Sequence, residues 1–165
     1  MLNVAPEAGA DGTRTADAFK FLPATSATAF TADELLTMVY DLRARYRNNG
    51  RWLMNSATAG MLRKLKTGDG AYLWQESVVA GQPSTFSGYP VTIVEAMPDV
   101  AANEHPVAFG DFEAGYILAQ IQGMTVTAQD MSITEPGFNK LYVRQRIGGC
   151  VYDENAVRFL KMAAS

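Results

Sequence analysis

One segment of the chain carries apolar residues at helical spacing, and it begins at a recognisable helix cap. Thr31 and Glu34 stand three positions apart, so each side chain can accept a hydrogen bond from the backbone N–H of the other. Phe30 and Leu35 flank them at the positions of a hydrophobic staple. We predict one helix that runs from Thr31 to the stop at Asn48-Asn49-Gly50 and buries a stripe of Leu35, Val39, Leu42 and Tyr46.

A second helix is predicted after a short strand at Arg51–Met54. Asn55 or Ser56 can cap its first turn, and Thr67-Gly68 marks its end. The residues expected to face inward are Met61, Leu62 and Leu65.

Short apolar runs between turn residues predict strands elsewhere. They cover residues 18–22, 91–95, 107–109, 116–122, 124–128 and 140–147. Gly123 is expected to act as a hinge and Gly148-Gly149 to end the last strand, before the apolar tail Val157–Met162; residues 81–88 are expected to form a loop. Two helices and many short strands, without regular alternation, predict an α+β fold with two main helices packed on a mixed, mostly antiparallel sheet.

The length and composition fit one folded domain. The chain has 165 residues, of which 48% are apolar and 19% charged, so global disorder is excluded. No apolar run approaches the roughly 18 residues of a membrane span, and the first residues lack the features of a signal peptide, so we expect a cytosolic protein. Residues 1–30 are rich in Ala, Thr, Gly and Asp and are expected to form a loosely ordered arm or loop.

The charge and the scarcity of Cys and His exclude several classes of function. The net charge of −3 argues against a dedicated nucleic-acid binder, which usually has a basic excess. A single cysteine excludes an internal disulfide and a multi-cysteine metal site, and a single histidine leaves no His pair for a metal. No nucleophile elbow, phosphate loop or dinucleotide fingerprint occurs. We therefore expect no cofactor and no metal.

Two residues keep an enzyme hypothesis open. Cys150 would be a nucleophile if a nearby cation lowered its pKa, and His105 would be a general base because imidazole titrates near neutrality. Both also have a simpler explanation, Cys150 as a filler of a small apolar space and His105 as a surface loop residue. Asp111 and Glu113 would share a strand face suited to acid–base work, although Gly110-Asp111 is also typical of a plain turn.

Two groups of arginines are candidate binding residues. Arg43, Arg45 and Arg47 crowd the end of the first predicted helix, where they either meet phosphate or remain solvated beside the helix dipole. On the strand at 140–147, alternation puts Tyr142, Arg144 and Arg146 on one face. Such a face is either exposed to solvent or paired with acidic groups of a neighbouring chain.

Several short blocks follow one another in an order that carries more information than any single block. They are Leu53-Met54-Asn55-Ser56-Ala57-Thr58, Leu62-Arg63-Lys64-Leu65-Lys66, Tyr72-Leu73-Trp74-Gln75, Gly81-Gln82-Pro83, Gly88-Tyr89-Pro90-Val91, Glu95-Ala96-Met97-Pro98-Asp99, Val107-Ala108-Phe109-Gly110-Asp111-Phe112, Gly115-Tyr116, Arg146-Ile147-Gly148-Gly149 and Ala156–Lys161. Together they cover roughly residues 31–163 and resemble the tailed-phage major capsid protein family of the HK97-like type.

The resemblance implies a fragment of the HK97-like capsid fold, with an axial (A) domain at the capsomer centre and a peripheral (P) domain. It assigns residues 31–108 to the A domain and residues 109–165 to strands that return through it to the P domain. It implies self-association into pentamers and hexamers of an icosahedral phage or prophage shell, with a scaffold or maturation protease as further partners. The expected location is the virion capsid, and the host cytoplasm during assembly. It implies no catalysis, no membrane and no specific nucleic acid.

The sequence also departs from this family. Its members carry an N-terminal arm, an extended E-loop and a long spine helix ahead of this region, and none can be placed here. The chain therefore resembles the C-terminal half of a capsid protein. Some relatives cross-link an E-loop lysine to an asparagine on a peripheral strand with the help of a carboxylate. The corresponding strand, Lys140–Arg146, contains no acid, so we expect no cross-linking.

On this resemblance, Tyr142, Arg144 and Arg146 are predicted to form part of a subunit interface. Three hypotheses remain for the function. The first is a structural capsid subunit, the second an uncharacterised small enzyme that uses Cys150 or His105 with a carboxylate, and the third a binding module for a phage tail or scaffold partner.

Overall fold

The computed structural model describes residues 5–8, 18–66, 74, 84–129 and 140–164. In these ranges the elements are β1 (Lys20–Pro23), α1 (Ala32–Asp41), α2 (Ala44–Arg47), β2 (Arg51–Met54), α3 (Ser56–Lys64), β3 (Thr85–Phe86), β4 (Tyr89–Ile93), β5 (Val107–Gly110), α4 (Phe112–Gly115), β6 (Tyr116–Gln129), β7 (Lys140–Val151) and β8 (Val157–Lys161). Six strands form a sheet in the order β1-β8-β5-β2-β4-β3, and β6 and β7 form a second, two-stranded sheet. We call the six-stranded sheet with its helices the body, and the β6–β7 pair the ribbon.

The sheet of the body is mixed, as the sequence predicts. The pairs β1–β8 and β2–β4 are parallel, whereas β8–β5, β5–β2 and β4–β3 are antiparallel. The four residues of β5 are all buried, so this central strand is covered on both faces. The α+β class with helices packed on a mixed sheet is thus confirmed.

An aromatic cluster fills the core beside the central strands. The ring of Trp52 lies 4.5 Å from the ring of Phe109 and 5.6 Å from that of Phe86, measured between centroids. Its indole N–H donates to the backbone oxygen of Phe86 at 3.1 Å, which satisfies the only polar group of a fully buried side chain. Tyr89 contacts Phe109 edge-on at 5.0 Å. Residues from four strands, β2, β3, β4 and β5, are thereby packed together.

The predicted cap of the first helix is present. Glu34 N–H donates to Thr31 Oγ1 at 3.3 Å, and Thr31 N–H donates to Glu34 Oε2 at 2.8 Å. Burial raises the pKa of Glu34, but backbone hydrogen bonds from Thr31 and Thr25 outweigh it and hold the pKa below its ordinary value. Phe30 and Leu35 are both buried, as a hydrophobic staple requires.

The single first helix predicted from sequence is wrong, because the chain forms two helices. Leu42 and Arg43 adopt extended backbone angles between α1 and α2. The Arg47 guanidinium donates to the backbone oxygen of Leu42 at 3.0 Å and so partners a carbonyl freed by the break. Leu42 and Tyr46 are nevertheless buried, since both helices pack against one core. The helical spacing of apolar residues thus predicted which side chains are buried, but it did not predict the break between the two helices.

The second predicted helix is correct in its cap and only partly correct in its inward face. Asn55 is the cap, and its side-chain oxygen accepts from Thr58 N–H at 2.7 Å. Leu62 is fully buried, but Met61 is 44% exposed, so its predicted burial is wrong. The helix ends at Lys64, and the predicted end at residues 67–68 lies outside the described residues.

The loop predicted at 81–88 contains a strand and a tight turn. β3 and β4 form a hairpin whose two turn residues, Ser87 and Gly88, have φ angles of 51° and 83°. Two positive φ values are typical of the turn that fits the twist of a two-residue hairpin. Tyr89 and Pro90 therefore belong to β4, two residues before the predicted strand start.

Part of the predicted N-terminal arm belongs to the sheet. β1 pairs in parallel with β8, and the backbone of Glu7 is hydrogen-bonded to Phe19 and Phe21 at 2.9 and 3.0 Å. Of residues 1–30, positions 1–4 and 9–17 lie outside the described residues. Within the described ranges, no helix is both long enough and apolar enough to cross a membrane.

A buried ion pair fixes β8, the last strand along the chain, which lies between β1 and β5 in the sheet. Arg158 is a charged residue within the tail that was predicted to be apolar, and its side chain is only 1% exposed. Its Nε atom donates to Asp41 Oδ2 at 2.7 Å, and Lys20 Nζ donates to Asp41 Oδ1 at 2.8 Å. One carboxylate on α1 thus joins cations from β8 and β1, and the burial of Arg158 depends on it.

We expect Asp41→Asn to lower the free energy of unfolding by about 2–4 kcal/mol, because it removes the carboxylate that accepts from the buried Arg158 guanidinium. Lys20→Met is the matched control. It removes the more exposed cation and should cost at most about 1 kcal/mol. Urea titrations followed by Trp fluorescence measure both. Equal losses in the two variants would contradict the role assigned to the buried pair.

Acid should unfold the body through its paired carboxylates. Burial raises the pKa of Asp41 and of Asp153, but hydrogen bonds outweigh it, from Lys20 and Arg158 in the first case and from Tyr46 in the second, so both pKa values are lowered. The stabilisation is fully present above the unfolded-state pKa near 4 and is lost as pH falls through the lower folded-state values. We expect the urea concentration at the unfolding midpoint to decrease as the pH is lowered beneath about 4. This decrease should be less steep in Asp41→Asn. An identical slope in that variant would contradict the assignment.

Candidate interaction surface

The ribbon is the most exposed element of the described structure. Its register runs from Tyr116 opposite Val151 to Gln129 opposite Lys140, with an irregularity between Ile121 and Thr125. Its side chains are exposed or half-buried wherever they are described. Among the described residues nothing packs on either face of these two strands, which is unusual because an isolated hairpin is only marginally stable in water.

Both breaks predicted in these strands are wrong. β6 runs through Gly123, where the irregularity absorbs extra residues, instead of ending at a hinge. β7 runs through Gly148 and Gly149 to Val151. A Cβ on Gly149 would lie 2.2 Å from the Tyr116 hydroxyl oxygen, so the Tyr116 ring occupies the space that a side chain would take. An aromatic ring over a glycine keeps the pairing continuous where the sequence alone suggests a stop.

The ribbon is attached to the body at two points, which we call its feet: the segment from Gly110 to Tyr116, where the chain enters it, and the segment from Val151 to Val157, where the chain leaves it. β6 follows β5 through α4, and β7 leads into β8, the strand that pairs with β5. Asp111 caps α4 by accepting from the N–H groups of Glu113 and Ala114, each at 3.1 Å. Gly110 has a φ of 156°, and a Cβ there would lie 2.2 Å from the backbone oxygen of Ala156. Only glycine allows the two feet to approach so closely.

Further hydrogen bonds lock the feet together. Tyr152 N–H donates to the backbone oxygen of Gly115 at 2.9 Å, and Asp111 N–H donates to that of Ala156 at 3.0 Å. The Tyr46 hydroxyl donates to the Asp153 carboxylate, which ties α2 to the turn after β7. This bond raises the pKa of Tyr46. The ribbon therefore projects from a rigid base.

One side of the ribbon, which we call the apolar face, carries large hydrophobic side chains and none of the described charges. Directly opposite residues of an antiparallel pair point to the same side, so the register defines this set. Its large members are 38–64% exposed: Tyr116, Leu118, Val126, Leu141, Val143 and Ile147. Alternation along β7 puts Val143 and Ile147 on the side opposite Tyr142, Arg144 and Arg146. Contiguous exposed apolar surface marks an interaction site in a folded protein.

The other side, the cationic face, contains the three predicted interface residues. Tyr142, Arg144 and Arg146 are all exposed on β7. Ile121 stands opposite Arg146 and is 66% exposed. Within the described residues neither arginine is paired with a carboxylate. Two exposed cations, without a carboxylate partner in the part of the chain that the structure describes, thus lie beside exposed hydrophobic groups.

The residues of the enzyme hypothesis are not assembled into a site. Cys150 is exposed at the foot of β7, so its predicted role as a filler of apolar space is wrong. His105 lies just before the start of β5, whereas the ribbon leaves the body after the end of β5. The His105 ring is half-buried against the edges of the Phe21 and Phe159 rings. Burial and then the charge of Lys161 lower the pKa of His105, while Glu104 opposes them. Among the described residues no carboxylate is hydrogen-bonded to either side chain.

Asp111 and Glu113 do not share a strand face, so that prediction is also wrong. Both belong to the cap and first turn of α4, and Asp111 is occupied by two backbone N–H groups. A cleft of about 650 Å³ lies beside them and is lined by Arg51, Tyr89 and Phe112. The described residues contain no group of three His, Cys, Asp or Glu side chains that could hold a metal ion.

The arginines of the first predicted helix lie on and beside α2. Arg43 and Arg45 are exposed, and their charges help to lower the pKa of Asp153. The Arg45 guanidinium lies over the Tyr46 ring at 5.6 Å, and that of Arg47 lies over the Tyr40 ring at 5.0 Å. These contacts within the body account for the arginines better than a phosphate site does.

Comparison with known proteins gives a consistent result. A family model described as the phage capsid family matches residues 4–162. The chain belongs to the phage capsid family. The comparison with curated protein sequences gave no significant match. The HK97-like resemblance seen in the sequence is thus confirmed at the level of the family.

Solved capsid structures share this fold. The capsid of an empty GTA particle, computed with C5 symmetry, superposes with a TM-score of 0.79 at 39% identity, over 94% of this chain and 54% of that one. The capsid of the native GTA particle gives 0.78 at 40% identity, over 94% of this chain and 58% of that one. Mycobacterium phage Patience gives 0.60 at 14% identity, over 88% and 45%, which shows the fold alone. The chain thus spans little more than half the length of the GTA capsid chains.

Substitutions on the apolar face should leave the free energy of unfolding nearly unchanged. We expect Leu118→Thr with Val143→Thr to change the free energy of unfolding by less than about 1 kcal/mol, since both side chains are more than half exposed and threonine keeps strand propensity. The same double variant should reduce the fluorescence of a bound hydrophobic dye such as ANS. Leu36→Thr with Tyr40→Thr, on the exposed side of α1, is the control. An equal loss of dye fluorescence in the control would contradict the assignment of the patch.

Proposed function

We propose that the chain is a structural subunit, or part of one, of an icosahedral phage or prophage capsid, and that it forms capsomers by self-association. The observation that carries this proposal is the match of nearly the whole chain to GTA capsid chains at 39–40% identity and TM-scores of 0.78–0.79. The ribbon supports it independently. A shell protein needs exposed surfaces that other copies cover, and the ribbon has two of them.

The division into body and ribbon suggests how the domains are arranged. We propose that residues 31–108 form most of the axial domain, and that the strands after residue 109 leave it for the peripheral domain and return with β8. The separate pairing of β6 with β7 supports this division. The pairing of β8 with β1 and β5 means that residues 157–161 belong to the body in space.

The cationic face is proposed as a contact between neighbouring copies. Tyr142, Arg144 and Arg146 would meet acidic groups of the next subunit in a head-to-tail contact, the kind that closes rings. Two features support this. The arginines have no carboxylate partner among the described residues, and the chain as a whole carries 17 acidic against 14 basic residues. Each such contact can be weak, because repeated contacts in a closed assembly reinforce one another.

A structural role also fits the polar groups of the chain. The buried carboxylate and cation pairs of the body are engaged in holding strands, and the described residues contain no metal cluster. The chain would act without catalysis, in the virion capsid and, during assembly, in the host cytoplasm. A scaffold or maturation protease would be a further partner.

Reversing the charge of the cationic face should weaken self-association. We expect Arg144→Glu with Arg146→Glu to lower the mass-average size at a given concentration by light scattering, because like charges would then face the acidic surface of the next copy. Arg51→Glu with Lys64→Glu makes the same change in net charge on the body and is the control. High salt should weaken association of the unaltered chain. Unchanged size in the ribbon variant would count against the cationic face as a contact.

A further inference from the structure

The single histidine of the chain, His105, lies near the end of the β4–β5 loop, which spans residues 94–106. Its ring centroid is 5.9 Å from that of Phe21 on β1 and 6.2 Å from that of Phe159 on β8. Phe21 and Phe159 are partners in the parallel register of these two strands. The imidazole therefore joins the end of the loop to both strands at once.

The surroundings of the His105 ring suit its neutral form. The Nε2 atom is buried and has no hydrogen-bond partner in the part of the chain that the structure describes. In a neutral ring the one N–H can be on Nδ1, so that Nε2 is only an unused acceptor. An imidazolium carries an N–H on both nitrogens, so protonation would bury a charged donor without an acceptor.

The charges near the ring also disfavour its protonation. Lys161 Nζ lies over the Phe21 ring at 4.9 Å, so a cation already occupies one side of this aromatic cluster. Burial, and then the charge of Lys161, lower the pKa of His105, whereas the neighbouring Glu104 raises it. The other cations of β1 and β8 both bind the Asp41 carboxylate: Lys20 and Arg158.

Two backbone hydrogen bonds attach the same end of the loop to the chain after β8. Met162 N–H donates to the backbone oxygen of Glu104 at 2.9 Å, and Asn103 N–H donates to that of Ala163 at 3.3 Å. These bonds lie within two residues of His105 along the loop. They form together with the ring contacts, and loss of the ring contacts would expose them to opening.

The beginning of the loop is held by a different group. The Asn55 side-chain amide donates to the backbone oxygen of Met97 at 3.3 Å and to Asp99 Oδ1 at 2.5 Å. Ser56 Oγ donates to Glu95 Oε2 at 3.0 Å. These contacts involve α3 and its cap, so they do not depend on the imidazole.

We propose that His105 is a pH-sensitive contact, which holds the end of the β4–β5 loop on β1 and β8 near neutral pH and releases it in mildly acidic solution. The proposal is independent of the capsid function. The folded-state pKa of His105 is below its ordinary value of 6.5. The contact is thus fully stabilising above about pH 6.5 and is lost as the pH falls through the lower folded-state value. This loss begins well above the range near pH 4 in which the paired carboxylates titrate.

Hydrogen exchange of the full chain tests the proposal against His105→Phe, which keeps an aromatic ring that cannot be protonated. Comparing the two proteins at the same pH cancels the effect of pH on the intrinsic exchange rate. Between about pH 7.5 and about pH 5, we expect protection of residues 100–106 to fall at least about threefold in the unaltered chain relative to the variant. Residues 51–64 are the internal control and should keep the same ratio. If His105→Phe does not fold, His105→Gln, which also stays neutral, replaces it.

An equal fall of protection in the unaltered chain and the variant would overturn the proposal. Unchanged protection of residues 100–106 in the unaltered chain at about pH 5 would overturn it too. An equal fall at residues 94–99 would also contradict it, because the Asn55 contacts that hold this part of the loop do not involve His105.

Discussion

The pairing of β5 with β8 is the constraint on which the rest of the structure depends. The chain leaves the body at the end of β5 and returns at the start of β8, so this one antiparallel pair holds both feet of the ribbon. The pair is fixed from behind by the Asp41–Arg158 ion pair and at the exit by Gly110, which permits contact with Ala156. A ribbon that buries little surface of its own is therefore set in place by the body.

Exposure of the ribbon is costly for an isolated chain and useful for an assembling one. Apolar side chains left in water forgo about 25 cal/mol for each Å² that burial would remove, and that free energy becomes available when copies meet. In the proposed contact the cationic face would add charge-dependent specificity, which directs association more than it strengthens it. A rigid body with an incompletely buried edge thus fits a structural member of the phage capsid family.

Local signals in the sequence predicted the helix caps of the body. The Thr31–Glu34 box and the Asn55 cap act through near neighbours, so spacing alone reveals them. The burial of Arg158 and the continuity of β7 through Gly149 depend on partners far along the chain, Asp41 and Tyr116, which no local pattern contains. The same limit applied to the interaction surface. Alternation placed Tyr142, Arg144 and Arg146 on one face, but the exposure of the opposite, apolar face required the structure.

Hydrogen exchange across the association transition tests most directly whether the ribbon is the assembling element. Amide exchange would be followed by mass spectrometry at concentrations below and above the onset of association. Association through the ribbon should slow exchange in residues 116–129 and 140–151, while the peptides of residues 18–66 remain unchanged. Slower exchange in the body with an unchanged ribbon would contradict the account.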